Sequence, residues 1–407
     1  LNLHRFEVSN YRPPVNPGIW SQNGRQLHLH VFHFPRFGDI DGDGKLELVY
    51  SKGCNEQVAY DLTGRELWRY FEPGRITFDP IREDSLTAIV AGKLACYRVV
   101  NGQPHFCVAE GATGKLIRSV AIEPNPVTRD TRCSIVPVAD GFVLTRDYWR
   151  IEVYSHDLKL QWTAAIKEFG HTVIVTDREE LFTGTRLFDA AGKCLWAKPE
   201  LLDATGETHP DSFRFVGDGF ALATGAQFLN LDGSVRWRNP HVHHGQAVRV
   251  ARHPAGARLC FADQFRYEGA SRLAWRGREL MDVESVFTVM GQRGNIVSQF
   301  EGVHVPETGD WDGDGADEVF VMNRDHVHMD VRKQTGELVT QLPVGERVFV
   351  SDMVVAPVLP GARGAQLVLA EWDAAEEHTH CLIFENDNAG ELCPPATELE
   401  LARFTPY

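Results

Sequence analysis

Tyr60-Asp61-Leu62-Thr63-Gly64-Arg65-Glu66-Leu67-Trp68 reads as a β-hairpin. Asp61 can cap the amides that follow it, Gly64 can take a positive φ, and the flanking residues alternate as strands do. The same arrangement returns at Phe188-Asp189-Ala190-Ala191-Gly192-Lys193-Cys194-Leu195-Trp196 and at Leu229-Asn230-Leu231-Asp232-Gly233-Ser234-Val235-Arg236-Trp237. Weaker copies stand at 112–117, 155–162 and 334–338. A hairpin recurring at intervals of roughly 30–50 residues marks a repeat architecture. In a β-propeller it joins the two outer strands of each four-stranded blade, and its tryptophan packs between neighbouring blades. The fold class read from the sequence is therefore all-β, a β-propeller.

Blade cores are expected at 26–70, 77–120, 130–163, 170–197, 211–238, 244–277, 300–340 and 347–387, with 278–299 assigned to either neighbour. That makes eight blades, with seven as the alternative count. No stretch rich in Gly, Ser and Pro divides the chain, so residues 1–407 read as a single propeller domain. Residues 1–25 form an N-terminal extension or complete the last blade. No segment sustains a helical period.

Composition narrows the function classes. The 407 residues carry a formal charge of -15, which argues against a nucleic-acid backbone as partner. No run of 18 apolar residues is present, so no membrane span is expected. The chain begins at Leu1 without a signal peptide, as a mature or trimmed product would. None of the eight cysteines lies in a CxxC. Cys96 and Cys107 could bridge one hairpin and Cys381 and Cys393 could close the C-terminal loop, or all could be buried thiols.

Two segments are more specific. Gly38-Asp39-Ile40-Asp41-Gly42-Asp43-Gly44-Lys45-Leu46-Glu47 and Gly309-Asp310-Trp311-Asp312-Gly313-Asp314-Gly315-Ala316-Asp317-Glu318 both read D-x-D-G-D-G-x-x-E before a β-run. Alternate aspartates converge when glycines let the backbone curl. With a carbonyl and a terminal glutamate they make an oxygen cage of the kind calcium prefers. The expected ligands are Asp39, Asp41, Asp43, Glu47 and the Lys45 carbonyl, then Asp310, Asp312, Asp314, Glu318 and the Ala316 carbonyl. The alternative is an Asx-rich turn without metal. Both loops are expected at blade ends, before an inner strand, in a bracing role. The segment 170–184 looks like a third copy stripped of its aspartates.

Histidines supply the candidate chemistry. His241-Val242-His243-His244-Gly245-Gln246 lies directly before an inner-strand candidate, and His171 holds the equivalent place earlier. Arg146, Tyr148, Arg266 and Tyr267 stand at strand ends that could reach the same face, as do Arg129 and His209. Histidine, tyrosine and arginine together suit β-elimination at a uronic acid. The arginine neutralises the carboxylate, a neutral histidine or phenolate takes the C5 proton, and a tyrosine or second histidine protonates the leaving oxygen. Each histidine also has a plain reading as a loop-bonding residue at a blade corner.

The loops at 38–49 and 309–320, the tryptophan hairpins, Gly170-His171 and His244-Gly245-Gln246 together resemble the catalytic propeller of bacterial rhamnogalacturonan lyases. More loosely the chain is similar to ulvan lyases. Two acidic loops are intact where the lyase family carries many, and Gln246 stands where it has aspartate. The resemblance implies a polysaccharide lyase acting on a uronate- and rhamnose-containing glycan, with bound Ca2+, an anionic polysaccharide partner, a monomeric state and a secreted or periplasmic location. Integrin-type propellers share the acidic loops without catalysis, so a calcium-stabilised binding propeller is the other reading.

Overall fold

The computed structural model describes all residues except 10–20, 23–24, 27–35, 53–55, 73–86, 124, 128–133, 204–207, 240–244, 265–273, 276–277, 280–283, 346–347, 374–377 and 391–407. Among the described residues the chain is all-β apart from one short 3-10 turn at Pro199–Leu201. Its strands make six four-stranded sheets, one seven-stranded sheet and two isolated two-stranded ribbons. Each long sheet is an antiparallel meander. The 36–71 sheet runs Arg36–Gly38, Glu47–Lys52, Glu56–Tyr60 and Glu66–Phe71 in order. The sheets at 87–121, 135–165, 174–197 and 213–238 repeat this plan. The second and third strands are apolar on both faces because a sheet lies against each, whereas a fourth strand such as Leu160–Ala165 is mostly exposed.

The seven-stranded sheet spans 245–343. Its long strand Ile296–Gly309 pairs with Glu284–Gly291 through its first half and with Glu318–Met322 through its second, and the register shifts between Val303 and Glu307. The stretch 278–299, which the sequence left between neighbours, thus contains the whole third strand, Glu284–Gly291, and the start of the fourth. The final sheet combines both ends of the chain. Asn2–Ser9 pairs with His378–Glu385, outside Gln366–Asp373 and Val348–Ala356.

Buried apolar clusters join each sheet to the next. Phe182 and Leu187 of the 174–197 sheet pack on Phe213, Phe220 and Leu229 of its neighbour. Val354, Val368 and Ile383 of the last sheet pack on Phe37, Leu48 and Val58 of the first. The hairpin tryptophans lie in these seams. Trp68, Trp162, Trp196 and Trp237 donate their indole N–H groups to the carbonyls of Gly111, Ala190, Leu231 and Gln292, each in the following sheet's outer turn. Each ring also rests on a turn glycine of that sheet. A Cβ at Gly114, Gly192 or Gly233 would stand less than 3.0 Å from the indole of Trp68, Trp162 or Trp196.

Two seams use other means. Gly64 receives Phe6 from the N-terminal strand, and the Tyr60 hydroxyl donates to the Val8 carbonyl. In the 87–121 sheet the outer strand offers Arg118, which pairs with Asp157 at 2.5 Å, and the turn it meets has Leu158 at φ 59 instead of glycine. Tryptophan and glycine are thus absent together at this seam.

The meander also separates two sets of loops. Antiparallel strands alternate in direction, so the turns between first and second strands share one end of a sheet with those between third and fourth. Turns between second and third strands share the other end with the connections into the next sheet.

Cys96 faces Cys107 across paired strands, but both are free, buried thiols, so the proposed bridge is not formed. Their apolar surroundings push both thiols above the usual range. Cys381 is likewise free, and Cys393 lies outside the described residues.

Candidate active site and acidic loops

Tyr148 sits in the turn between Gly141–Arg146 and Arg150–Ser155, with φ 58. Its amide donates to the Gly170 carbonyl at 3.1 Å, and Thr145 Oγ1 donates to the His171 carbonyl at 2.9 Å. These bonds bring the connection carrying His171 onto the turn carrying Tyr148. The next connection joins them. A Cβ at Gly170 would run into the Pro210 carbonyl, so glycine is needed for the His171 and His209 segments to touch.

Two imidazoles, one phenol and two carboxylates converge there. His171 Nδ1 lies 2.9 Å from Asp147 Oδ2, and its Nε2 lies 3.0 Å from the Tyr148 hydroxyl. His209 Nε2 lies 3.2 Å from Asp211 Oδ1. The Tyr148 ring meets His171 and His209 edge-on, with centroids 4.9 and 4.8 Å apart. Asp147 holds the His171 proton at Nδ1, which leaves Nε2 to accept from the phenol. The arrangement can therefore draw the phenol proton onto His171. His171 is buried while Tyr148 and His209 are partly open, so a ligand meets the phenol and the second imidazole before it meets His171. Ligand atoms of His171, His209 and Asp211 also lie within 4.8 Å of one another, as a metal site would need.

The remaining expected residues divide. Arg146 shares the Tyr148 turn but is fully buried. It pairs with Glu152 at 3.2 Å, donates to the Glu123 carbonyl and lies over the Trp149 ring. It cannot present a guanidinium to a substrate, and its assignment to the site is withdrawn. His244, Arg266, Tyr267 and Arg129 lie outside the described residues. Gly245, the next described residue, opens the innermost strand Gly245–Ala251 of its sheet.

Asp147 and Asp211 are the members of this cluster that the sequence does not single out. Asp147 adjoins Tyr148 and Asp211 follows His209 by two positions, spacing that could have flagged them. Arg214 lies on the innermost strand Phe213–Phe215, which the His209 connection enters. Desolvation among the inner strands, then the nearby Arg249 charge, pulls its pKa down to about 9.

The acidic loops lie at the opposite end of the sheets. The 39–47 loop joins Arg36–Gly38 to Glu47–Lys52, and the 310–318 loop joins Ile296–Gly309 to Glu318–Met322. Both therefore follow an inner strand rather than precede one. The segment 170–184 does contain the equivalent turn, but His171 lies outside it, ahead of the inner strand Ile174–Val175. The turn equivalent to the acidic loops in its sheet is 176–180, between Ile174–Val175 and Leu181–Phe182, where the Thr176 amide donates to the Glu180 carbonyl.

In the first loop Asp39 accepts from the Gly42 and Gly44 amides at 2.6 and 3.0 Å, and Gly42 and Gly44 have φ of 79 and 84. Glu47 accepts from the Ile40 amide at 2.9 Å. Burial, then the aspartates around it, raises the Glu47 pKa to about 7. A buried carboxylate among aspartates is a donor set that fits a hard cation. Asp39, Asp41, Asp43, Glu47 and the Lys45 carbonyl would hold it, and its charge would offset their repulsion. In the second loop Asp310 accepts from the Asp314 and Gly315 amides at 3.0 Å each, and Glu318 accepts from the Trp311 amide at 2.9 Å. There the Lys333 ammonium lies among the carboxylates, 2.5 Å from Asp312, 3.0 Å from Asp314 and 2.8 Å from Glu318.

No protein-family model matches the chain, and no curated protein matches it in sequence. Solved structures do match in fold. The exotype rhamnogalacturonan lyase YesX is 16% identical with a TM-score of 0.61, over 93% of this chain and 75% of that one. The Bacillus licheniformis rhamnogalacturonan lyase PL11 is 16% identical with a TM-score of 0.55, over 88% and 72%. The V. cholerae biofilm matrix protein Bap1 is 13% identical with a TM-score of 0.55, over 89% of each chain. At these identities the likeness is one of fold: the chain has the all-β architecture of rhamnogalacturonan lyases, and that architecture is shared with a matrix protein.

Proposed function

We propose that this chain is a polysaccharide lyase that cleaves a uronate- and rhamnose-containing glycan by β-elimination. The observation that carries the reading is the hydrogen-bonded series Asp147–His171–Tyr148 beside His209–Asp211, at the end of the sheets opposite the acidic loops. In this mechanism Tyr148 gives its proton to His171 and takes the uronate C5 proton. The C5–H electrons form the C4–C5 double bond, and the C4–O bond breaks. His209, held by Asp211, protonates the departing glycosidic oxygen. A guanidinium must neutralise the C6 carboxylate to acidify C5. We assign that role to Arg214, which is part-exposed on the strand that follows His209 and Asp211, in place of Arg146, with His244, Arg266 and Tyr267 as further members of the site.

The scaffold in this reading is one domain over 1–407 with eight blades. Dividing the seven-stranded sheet at its register shift supports that count, because two four-stranded units result. Ca2+ braces the 39–47 loop and takes no part in proton transfer. The protein works as a monomer on an anionic polysaccharide outside the cytoplasm. Among the described residues no helix is long and apolar enough to cross a membrane.

The other reading is a calcium-stabilised binding propeller, and the likeness to a matrix protein supports it. Incubation with ulvan, rhamnogalacturonan, glucuronate-capped arabinogalactan and glucuronan decides between them. Elimination leaves an unsaturated uronate that absorbs in the ultraviolet. Absorbance that rises on one polymer, and is lost in Tyr148→Phe, supports the lyase. A flat trace on all four with retained polymer binding supports the binding propeller.

A further inference from the structure

Lys333 puts a cation where the sister turns have none. Among the described residues the corresponding outer turns open with Asp61, Glu110, Ser155, Asp189, Asn230 and Gly291. The side chains of Asp61, Ser155 and Asp189 accept from an amide of their own turn, and Asn230 donates to the Ser234 hydroxyl. Lys333 opens the corresponding turn: its amide donates to the Glu337 carbonyl at 2.8 Å and its carbonyl accepts from Gly336 at 2.8 Å. Its side chain leaves the turn. It crosses to the acidic loop at the same end of the sheet and directs its ammonium at Asp312, Asp314 and Glu318, all within 3.0 Å.

An ammonium has three hydrogens to donate, and each has a carboxylate here. Nζ therefore sits where these carboxylates converge. A calcium ion bonds oxygens at about 2.3–2.6 Å, so it needs the same point. The first loop differs. The corresponding turn residue is Asp61, which is engaged by Thr63 and Arg65, and Lys45 pairs with a single carboxylate, Asp43, with both side chains exposed.

We infer that the 310–318 loop is closed by the Lys333 ammonium in place of a divalent cation, so that the two like-sequence loops differ in kind and only 39–47 takes calcium. A tethered cation gives the second loop its neutralising charge whatever the calcium level. Asp310, which Lys333 does not reach, is held by the amides of Asp314 and Gly315. The two expected calcium sites thus become one metal loop and one lysine loop.

The test is calcium titration of the chelator-stripped full chain by calorimetry. The wild type is expected to take up one ion, which Asp39→Asn with Asp43→Asn abolishes. Lys333→Asn gives this turn the residue type of the Asn230 turn and is expected to raise the stoichiometry from one to two. Two ions in the wild type, or no second ion in a folded Lys333→Asn, would overturn the inference. Terbium offers a check that does not depend on that variant folding. Trp311 lies inside the second loop and sensitises any terbium bound there. Trp311→Phe is expected to leave wild-type terbium emission unchanged, and a clear loss of emission would place an ion in the second loop.

Discussion

The Tyr148 hydroxyl stands 3.0 Å from Nε2 of His171, and His171 is the more buried of the two. The pair therefore has an outer and an inner member. If the phenol is the group that meets substrate, Tyr148→Phe should lower elimination about 10²–10⁴-fold, the usual worth of a positioned acid or base. Asp147→Asn should shift the pH–rate profile and lower kcat more than it raises KM, because it disturbs the proton held on His171. Rates measured across pH on the responsive polymer check both. An unchanged profile in Asp147→Asn would remove Asp147 from the mechanism.

Arg146→Ala should act on stability rather than on substrate binding. Its removal takes one partner from the buried Glu152, which keeps Arg150 at 2.6 Å and the Tyr154 hydroxyl at 3.0 Å. The loss should therefore stay below the about 3–5 kcal/mol of breaking a buried pair outright. Denaturant unfolding gives the magnitude. A stable variant with a raised KM would instead return Arg146 to the site.

The seams between sheets can be probed at Trp68 and Gly114. Trp68→Phe keeps most of the ring but loses the 2.6 Å bond to the Gly111 carbonyl, a loss of about 1 kcal/mol. Gly114→Ala should cost more. It places a Cβ against the indole and forces a non-glycine residue to φ 66, which alone costs about 1–2 kcal/mol. Thermal unfolding of both variants tests this order.

Calcium should change how stability depends on pH. Burial raises the folded pKa of Glu47 from its ordinary 4.5 to about 7. The folded state therefore holds a proton that the unfolded state has released in this interval. Stability without metal should fall as pH rises from about 4.5 through 7. Bound calcium stabilises the ionised form, so the fall should flatten when calcium is present, and Tm at pH 8 should rise on its addition. Melting curves at pH 5, 7 and 8, with calcium and with chelator, check the sign. Equal slopes in both series would count against an ion near Glu47.

The repeat was legible because its signals are local. Asp61, Gly64 and Trp68 lie within eight positions, and turn, strand and seam all follow from them. One further copy was overlooked. Gly291 and Gly294 form the turn that receives Trp237, but its first residue is glycine and no tryptophan follows, so the pattern did not show. The site was less legible because its grouping depends on strand direction. Gly170-His171 looks like the opening of an acidic loop, yet it lies at the other end of its sheet. Arg146 and Tyr148 are two residues apart, and only packing shows that one points inward to Glu152 while the other faces His171. Lys333 carries a signal as a cation at a position where the sister turns have none. What it reaches is visible only in three dimensions.

The last sheet takes its outer strand from the beginning of the chain, and Asn2 meets Glu385 across a separation of 383 residues. Such pairing pays the loop-closure entropy of almost the whole polypeptide, so it should form after the local meanders. Until then, His378–Glu385 offers an open edge to any strand of matching pattern. A second molecule carries that strand, which makes the first nine residues the place where refolding at high concentration would produce exchanged dimers.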